Sequence, residues 1–405
     1  MTAPAVALVS MHTSPADLPG SGDAGGMNVV ELAQAQALAA LGQPVELITR
    51  RQDPAAPDVL ELAPGVRLRH LTAGPPQPLP KSEIDNYLDD FTAGLAALDG
   101  YRLYHSHHWM SGMAALPVAR RRGVPHVQSF HSVAAPIGSP LGRGEPPESE
   151  RRIAGEALLA KDSDLVVAIS AAEARTVIER CGADPDRVSI VQPGVDLELF
   201  RPRRPGEKCW PLPAGRAAGD AGYLLFAGRI QPLKGPDLAI EALAGVPPEI
   251  RPLLVIAGDV AADFAGYAEE LRALVDRLGL TDDVVFGGSL SRAELAHALR
   301  CATMMLVPSH SETFGLVALE AAASGVPVIA ASAGGLREAV VHLETGQLID
   351  SREPTAWADT ISSLLRNRKR LERMGIVARV HARRFRWDEV GVRLLSIYRE
   401  LVERA

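Results

Sequence analysis

The sequence predicts two Rossmann-like, doubly wound α/β domains that face each other across a cleft. Short apolar runs alternate with helix-like segments along the chain, as in parallel sheets whose strands are buried on both faces. The alternation stops between Arg201 and Ala221, a segment rich in Pro, Gly and charge, and then starts again. We therefore predict an N-terminal domain over 1–202, a C-terminal domain over 203–385, and a final helix over 386–405 that packs back on the first domain.

The composition excludes several classes of partner. A net charge of -7 argues against nucleic acid or an anionic membrane as the main partner. No apolar run approaches the roughly 18 residues of a membrane-spanning helix. Cys181, Cys209 and Cys301 are widely spaced and match no zinc or redox motif. We therefore expect three reduced thiols and a cytoplasmic protein with no integral membrane association.

The first domain opens with a strand, a glycine-rich loop, a helix and a second strand. We predict strands over 4–11 and 45–49 and a helix over 29–41. Gly25 and Gly26 precede the helix, but their spacing is not that of a dinucleotide-binding fingerprint. Two interpretations stay open: a backbone cradle for a diphosphate or sugar, and a tight turn.

The rest of this domain repeats the alternation. We predict strands over 66–71, 101–107, 126–130, 165–169 and 188–191, and helices over 81–98, 112–122, 148–161 and 171–180. His105, His107 and His108 gather at the end of one strand, and His131 follows the next. No carboxylate or cysteine at ligand spacing accompanies them, so we expect no metal. Binding of a hydroxyl-rich ligand and ordinary buried histidines are the remaining interpretations.

In the second domain, charged residues follow strands at the edge where open α/β sheets bind ligands. We predict strands over 223–227, 253–257, 284–286, 304–308, 326–331 and 346–349, and helices over 236–244, 267–278, 294–300, 354–365, 368–384 and 387–405. A small-residue helix is also predicted between the turn at Gly315 and the Gly-Val-Pro of 325–327. Arg229 and Lys234 combine a bidentate fork with a compact charge, which suits a diphosphate. Glu312 and Glu320 can accept hydrogen bonds from sugar hydroxyls. This set favours a nucleoside-diphosphate sugar over the alternative of solvated surface charges.

These residues fall in motifs that resemble the retaining, family-four glycosyltransferases, which have the glycosyltransferase-B fold. The matching motifs are GDAGGMN (22–28), HSHHWMSG (105–112), PGVD (193–196), GRIQPLK (228–234) and SETFGLVALE (311–320). The resemblance spans nearly the whole chain. It is greatest to the mycothiol-pathway branch of the family, which transfers N-acetylglucosamine from UDP-N-acetylglucosamine to D-inositol 3-phosphate.

The resemblance implies a role for each matched residue on the donor side. Arg229 and Lys234 hold the diphosphate and stabilise the leaving phosphate, Glu320 binds the ribose, and Glu312 lies near the sugar. His131 contacts the sugar at the reaction centre. The implied catalytic residues are His131, Arg229, Lys234 and Glu312. The implied donor-binding residues are Gly25, Gly26, Arg229, Lys234, Glu312, Phe314, Gly315, Leu316 and Glu320. The implied mechanism is front-face substitution with retention, without a side-chain nucleophile, cofactor or metal.

The acceptor side departs from the family pattern. Lys81 and Arg152, or the adjacent Arg151, match the pair that grips the inositol phosphate. His108 and Ser132 stand where the family has Tyr and Thr. The implied acceptor-binding residues are Asn28, Lys81, His108, Ser132 and Arg152. A phosphorylated polyol is the preferred acceptor, and the alternative is an aminocyclitol of an antibiotic or other secondary-metabolite pathway with another nucleotide sugar.

Two further classes are weaker hypotheses. One is a nucleotide-sugar-binding protein without transferase activity, which the matched charged residues disfavour. The other is a lipid glycosyltransferase of the membrane surface, which would need a basic or amphipathic face. The expected partners are therefore a small-molecule donor and a small-molecule acceptor, and a homodimer stays open.

Overall fold

The first domain is built on a sheet of order β3-β4-β2-β1-β5-β6-β7-β8. A computed structural model describes residues 5–20, 24–135, 148–219, 221–260 and 264–405. The strands are β1 (Ala5–Ser10), β2 (Val45–Arg50), β3 (Val59–Ala63), β4 (Val66–Leu71), β5 (Tyr101–His107), β6 (His126–Ser129), β7 (Leu165–Ala168) and β8 (Val188–Ile190). All pair in parallel except β3, which runs antiparallel to β4 at the edge.

Helices cover the faces of this sheet. They are α1 (Gly26–Ala40), α2 (Lys81–Ile84), α3 (Leu88–Ala96), α4 (Trp109–Arg122), α5 (Glu150–Asp162) and α6 (Ala171–Cys181). The single helix predicted over 81–98 is wrong, because a 3-10 turn separates α2 from α3. Tyr87 leaves the helical conformation there (φ -107°, ψ 18°), and its ring packs against Gly74. The sequence analysis also missed β3, whose exposed Val59 and Leu60 lack the burial of the central strands.

The second domain has a parallel sheet of order β11-β10-β9-β12-β13-β14. Its strands are β9 (Tyr223–Ala227), β10 (Leu253–Ala257), β11 (Val284–Gly288), β12 (Met304–Val307), β13 (Val328–Ala331) and β14 (Gly346–Ile349). Its helices are α7 (Pro236–Ala244), α8 (Tyr267–Arg277), α9 (Arg292–Leu299), α10 (Leu316–Ala323), α11 (Leu336–Ala339), α12 (Pro354–Leu365) and α13 (Arg368–Ala382). The sequence analysis missed only the short α11 among these helices. The predicted fold class, two α/β domains with parallel sheets, is confirmed.

The continuous apolar runs of the central strands bury side chains on both sheet faces. In β1, Leu8 enters the core on one face and Val9 the core on the other. In β9, Leu224 and Leu225 divide in the same way between the two cores of the second sheet. Side chains alternate along a strand, so a strand covered by helices on both faces must be apolar throughout.

The last helix, α14 (Trp387–Arg404), packs on the first domain. Leu394 and Tyr398 are fully buried in the core that contains Leu8 and Leu38. The Tyr398 hydroxyl lies 2.6 Å from Nδ1 of His105 on β5. The domain boundaries at 202 and 385 stay predictions. Among the described residues, no helix combines the length and apolar character needed to cross a membrane.

The expectation of three reduced thiols is wrong for two of them. Cys209, in the connecting segment, forms a disulfide with Cys301, which follows α9; their Cα atoms are 5.7 Å apart. The two residues are 92 positions apart in the chain, so their spacing could not indicate the pairing. Cys181 is free. Because disulfides are rare in reducing compartments, the expected cytoplasmic location loses the support that reduced thiols would give it.

Candidate active site

A cleft of about 300 Å³ lies between the carboxyl ends of the two sheets and is lined by both domains. Almost every site residue predicted from the sequence lines it: Gly25, Gly26, Asn28, Lys81, His108, His131, Ser132, Arg229, Lys234, Glu312, Phe314, Gly315, Leu316 and Glu320. Arg152 is the exception and lies behind Ser132. The ring of Phe314 is buried in the second domain against Phe385, with 5.8 Å between the ring centroids.

An ion pair joins two loops of the second domain at the cleft. Lys234 ends the 3-10 turn after β9, Glu312 follows β12, and Lys234 Nζ lies 2.7 Å from Glu312 Oε2. Ser309 also donates to that carboxylate, at 3.4 Å. The backbone of Gly334 packs directly against that of Glu312. Only glycine fits there, because the φ of Gly334 is +49° and a Cβ would lie 2.1 Å from the Glu312 carbonyl oxygen. Both charged side chains keep about a fifth of their surface exposed (21% and 17%), so a ligand can reach them.

A second ion pair, absent from the sequence predictions, holds Glu320. Arg292 at the start of α9 donates to Glu320 on α10, and its guanidinium also lies 4.7 Å from the ring centroid of Phe200. Burial raises the pKa of the Glu320 carboxyl, and the charge of Arg292 opposes that rise. No motif marks Arg292, since its partner is 28 residues away on another helix.

The paired glycines bring α1 against the second domain. A Cβ on Gly25 would lie 3.6 Å from Arg229 Nε, and one on Gly26 would lie 3.2 Å from Leu316 Cδ1. Neither glycine has a positive φ. Small size therefore matters at Gly26, where a Cβ would be crowded, whereas 3.6 Å at Gly25 is an ordinary contact. This contact favours the cradle interpretation. Gly22 and Asp23 of the same motif lie outside the described residues.

His131 follows β6, and its backbone angle and two contacts define its position. Its backbone has a φ of +58°, which is strained for a residue with a side chain. Its carbonyl accepts a 2.6 Å hydrogen bond from Thr313 of the second domain. Its Nε2 lies 2.7 Å from Nδ1 of His107. Loss of hydration lowers the pKa of His131 to about 3, so the ring is neutral at physiological pH.

Two histidines of the first domain line the cleft together with Lys81. The rings of His12 and His108 are 4.1 Å apart, and the sequence analysis missed His12. Burial lowers the pKa of His12, and the charges of Lys81, Arg229 and Arg152 lower it further. Lys81 and Arg229 both line the cleft, so each domain contributes a cation to it.

Asn28 has a visible structural role. Its Oδ1 accepts from the Gly25 backbone at 2.8 Å, and its Nδ2 donates to Thr13 and to the Ser14 carbonyl at 2.8 and 2.7 Å. These bonds fix the glycine loop to the segment after β1. A contact between Asn28 and the acceptor stays a prediction.

Arg152, rather than Arg151, is the arginine that contacts the cleft residue Ser132. It donates to Ser132 Oγ at 3.0 Å, whereas Arg151 forms an exposed ion pair with Asp85. Two carboxylates hold the Arg152 guanidinium: Glu148 at 2.9 Å and Glu156 at 2.8 Å. Much of its charge is therefore compensated within the protein, which the sequence analysis did not anticipate.

His105, His107 and His108 are buried, but only the first two have hydrogen-bond partners, and both ring nitrogens of His108 lack one among the described residues. His105 contacts Tyr398 and Ser129, and His107 contacts His131. Burial is the main cause that lowers the pKa of His105, His107 and His108. Over the described ranges, no group of three or more His, Cys, Asp or Glu could hold a metal ion.

The fold and this cleft define a class of enzyme. Residues 213–381 match the model of the glycosyl transferases group 1 family, and residues 25–194 match the glycosyl transferase 4-like domain. The chain therefore belongs to the group 1 glycosyltransferases, which confirms the prediction of a glycosyltransferase, while retention stays a prediction. Its structure is similar to that of sucrose-phosphate synthase from Thermosynechococcus elongatus, with a TM-score of 0.90 and 29% identity over 99% of this chain and 100% of the other.

Two relatives are similar to this chain along almost their whole length. The D-inositol 3-phosphate glycosyltransferase of Xylanimonas cellulosilytica is 40% identical over 99% of this chain and 98% of its own length. That of Thermomonospora curvata is 42% identical over 97% and 94%. HepE of Anabaena, crystallised with UDP and glucose, has the same fold, with a TM-score of 0.76 and 19% identity over 98% of this chain and 100% of its own.

Proposed function

We propose that this glycosyltransferase moves a sugar, with retention, from UDP-N-acetylglucosamine or a similar nucleotide sugar to a small anionic acceptor such as D-inositol 3-phosphate. The observation that carries the proposal is that Lys81 of the first domain lines the same cleft as Arg229 and Lys234 of the second. Cations on both sides of one cleft suit two neighbouring anions, a donor diphosphate and an acceptor phosphate. The names of the relatives support the same acceptor.

The donor is bound by the second domain. Lys234 has three N–H donors, so it can keep its bond to Glu312 and still reach a phosphate oxygen. Arg229 supplies a planar fork for the same diphosphate. Glu320, held by Arg292, accepts hydrogen bonds from the ribose hydroxyls.

The transfer takes place on one face of the sugar. The bond from the anomeric carbon to the diphosphate breaks, and an acceptor hydroxyl forms its bond on the same face. The hydroxyl proton passes to the departing phosphate oxygen. Negative charge develops on the leaving diphosphate, where Arg229 and Lys234 stabilise it. These two cations supply the charge compensation, so the proposal includes neither a protein nucleophile nor a required metal.

One observation favours a second candidate acceptor. Glu148 and Glu156 compensate Arg152, which weakens the attraction for a phosphate and suits a cationic aminocyclitol better than a bare arginine would. Lys81 opposes such a cation, so the phosphorylated acceptor is preferred.

The test is acceptor-dependent turnover. UDP release from UDP-N-acetylglucosamine is measured with D-inositol 3-phosphate, inositol, an aminocyclitol or no acceptor, and NMR of the product gives the anomeric configuration. We expect turnover with inositol 3-phosphate, an α-linked product, and no loss in a chelator. Release independent of the acceptor rejects the acceptor assignment, an inverted product rejects retention, and a chelator effect rejects metal independence.

A further inference from the structure

His107 has no part in the proposed reaction, yet it lies directly behind His131. Its Nδ1 is 2.7 Å from His131 Nε2, and the two rings are nearly parallel, with centroids 5.0 Å apart. Burial lowers the pKa of both rings, so each is neutral and carries one N–H. The short contact therefore has one donor and one acceptor.

The surroundings of His107 decide which ring donates. Oε1 of Glu31 lies 3.8 Å from Nδ1 of His107, and neither side chain is exposed. A charged carboxylate stabilises an N–H at Nδ1, but burial raises the pKa of Glu31, and a neutral carboxyl can also donate. Nε2 of His107 is the stronger indicator: it is buried without a hydrogen-bond partner among the described residues, so a proton there would be an unpaired buried N–H. His107 therefore donates from Nδ1, and His131 accepts at Nε2.

Acceptance at Nε2 leaves the proton of His131 on Nδ1. That nitrogen is buried without a hydrogen-bond partner among the described residues, and the residue lines the cleft. An unpaired buried N–H is costly, and an oxygen of a bound sugar is the partner that it lacks. We propose that His107 is a positioning residue that holds His131 in the Nδ1-protonated tautomer, so that His131 donates a hydrogen bond to the donor sugar. This inference rests on the proposed function only for the identity of the sugar.

Another buried histidine of the same sheet shows what a purely structural role looks like. His126 bonds to the hydroxyls of Ser106 and Ser163 at 2.9 and 3.0 Å. These two bonds use both of its ring nitrogens, so the His126 ring is not hydrogen-bonded to His131, and it is just as buried as His107. His126 is therefore the matched control for His107.

The test has a spectroscopic part that needs no substrate. Nitrogen-15 NMR of histidine-labelled, ligand-free protein distinguishes protonated from unprotonated ring nitrogens, and His131→Asn assigns the His131 signals by their loss. We expect the proton on Nδ1 of His131 in the wild type and in His126→Asn. A wild-type His131 with its proton on Nε2 overturns the inference, even if every variant at position 107 fails to fold.

The kinetic part compares two substitutions. In His107→Asn, the amide nitrogen can donate from the place of Nδ1, so we expect the tautomer and most of kcat to be kept. His107→Leu leaves His131 Nε2 without its donor, and we expect kcat to fall about tenfold to a hundredfold with unchanged UDP affinity. Equal losses in both variants, or in His126→Asn, overturn the inference. If the tautomer is as expected and no sugar is transferred, only the proposed function fails.

Discussion

The two halves of the cleft, which we propose bind the donor and the acceptor, use their charges differently. In the donor half, Lys234 and Glu312 form one ion pair between loops, and Arg292 pairs with Glu320. In the acceptor half, one arginine is shared between two carboxylates. Lys234 and Arg292 therefore have one carboxylate partner each, whereas Arg152 has two. The difference teaches that, under the proposed function, the choice of acceptor depends more on single charges than the choice of donor does.

Removal of Lys234 tests the donor half most severely. Lys234→Ala removes a cation from the leaving diphosphate, so we expect kcat to fall by about 100- to 1,000-fold. Turnover with saturating donor and acceptor is the measurement. Lys369→Ala, at an exposed lysine of α13, is the control. Near-normal turnover of Lys234→Ala would remove the proposed diphosphate role.

Arg292→Ala tests the part of the donor half that has no sequence motif. Without its partner, Glu320 is a poorly oriented buried carboxyl, so we expect the donor KM to rise about 5- to 20-fold. The free energy of unfolding of Arg292→Ala should also depend on pH. Burial raises the pKa of Glu320 in the folded state, and the variant lacks the charge that opposes this rise. The folded variant therefore binds the Glu320 proton more tightly than the unfolded chain does, and its stability falls as the pH rises above about 4.3.

The measurements are donor kinetics and denaturant unfolding between about pH 4 and pH 8. Arg393→Ala, at an exposed arginine of α14, should leave both unchanged. If the stability of Arg292→Ala relative to the wild type does not decline with pH, Arg292 does not compensate the charge of Glu320.

Glu148→Gln tests the acceptor half. It frees part of the Arg152 charge, so we expect the KM for D-inositol 3-phosphate to fall about 2- to 5-fold, as for a partly exposed ion pair. The KM for the donor should not change. Glu150→Gln alters an exposed carboxylate two residues further along the chain and serves as the control. If Glu148→Gln lowers the KM for an aminocyclitol instead, the preferred order of acceptors is reversed.

The disulfide lies outside both halves and should have the smallest effect on activity. Thiol titration of the denatured, unreduced protein should find one free thiol per chain, because Cys209 and Cys301 are paired. Reduction should lower the free energy of unfolding by about 2–4 kcal/mol without changing acceptor preference. Three reactive thiols would contradict the pairing.

The two halves also differ in how far the sequence predicts them. Arg229, Lys234 and Glu312 lie in loops that follow buried strands, so local pattern and topology place them at one edge of a sheet. Arg292 carries no such signal, since only the tertiary fold brings it to Glu320. The same reason hid the disulfide and the contact between His107 and His131. His12 follows β1 and Glu148 lies four residues before Arg152, so both had a local signal that the sequence analysis did not use. Sequence periodicity located most strands and helices, and it failed at an exposed edge strand, at one irregular turn and at the short α11.

Helix α14 has a consequence for the order in which the protein can be assembled. The first domain is synthesised first, but part of its core is supplied by Leu394 and Tyr398. Until α14 has emerged from the ribosome, Leu8 and Leu38 lack this cover, and the emerging domain exposes apolar surface of the kind that chaperones recognise. The second domain is synthesised meanwhile. Folding of the first half is therefore finished only after α14 has been made, and a fragment that stops before residue 387 is an incomplete domain.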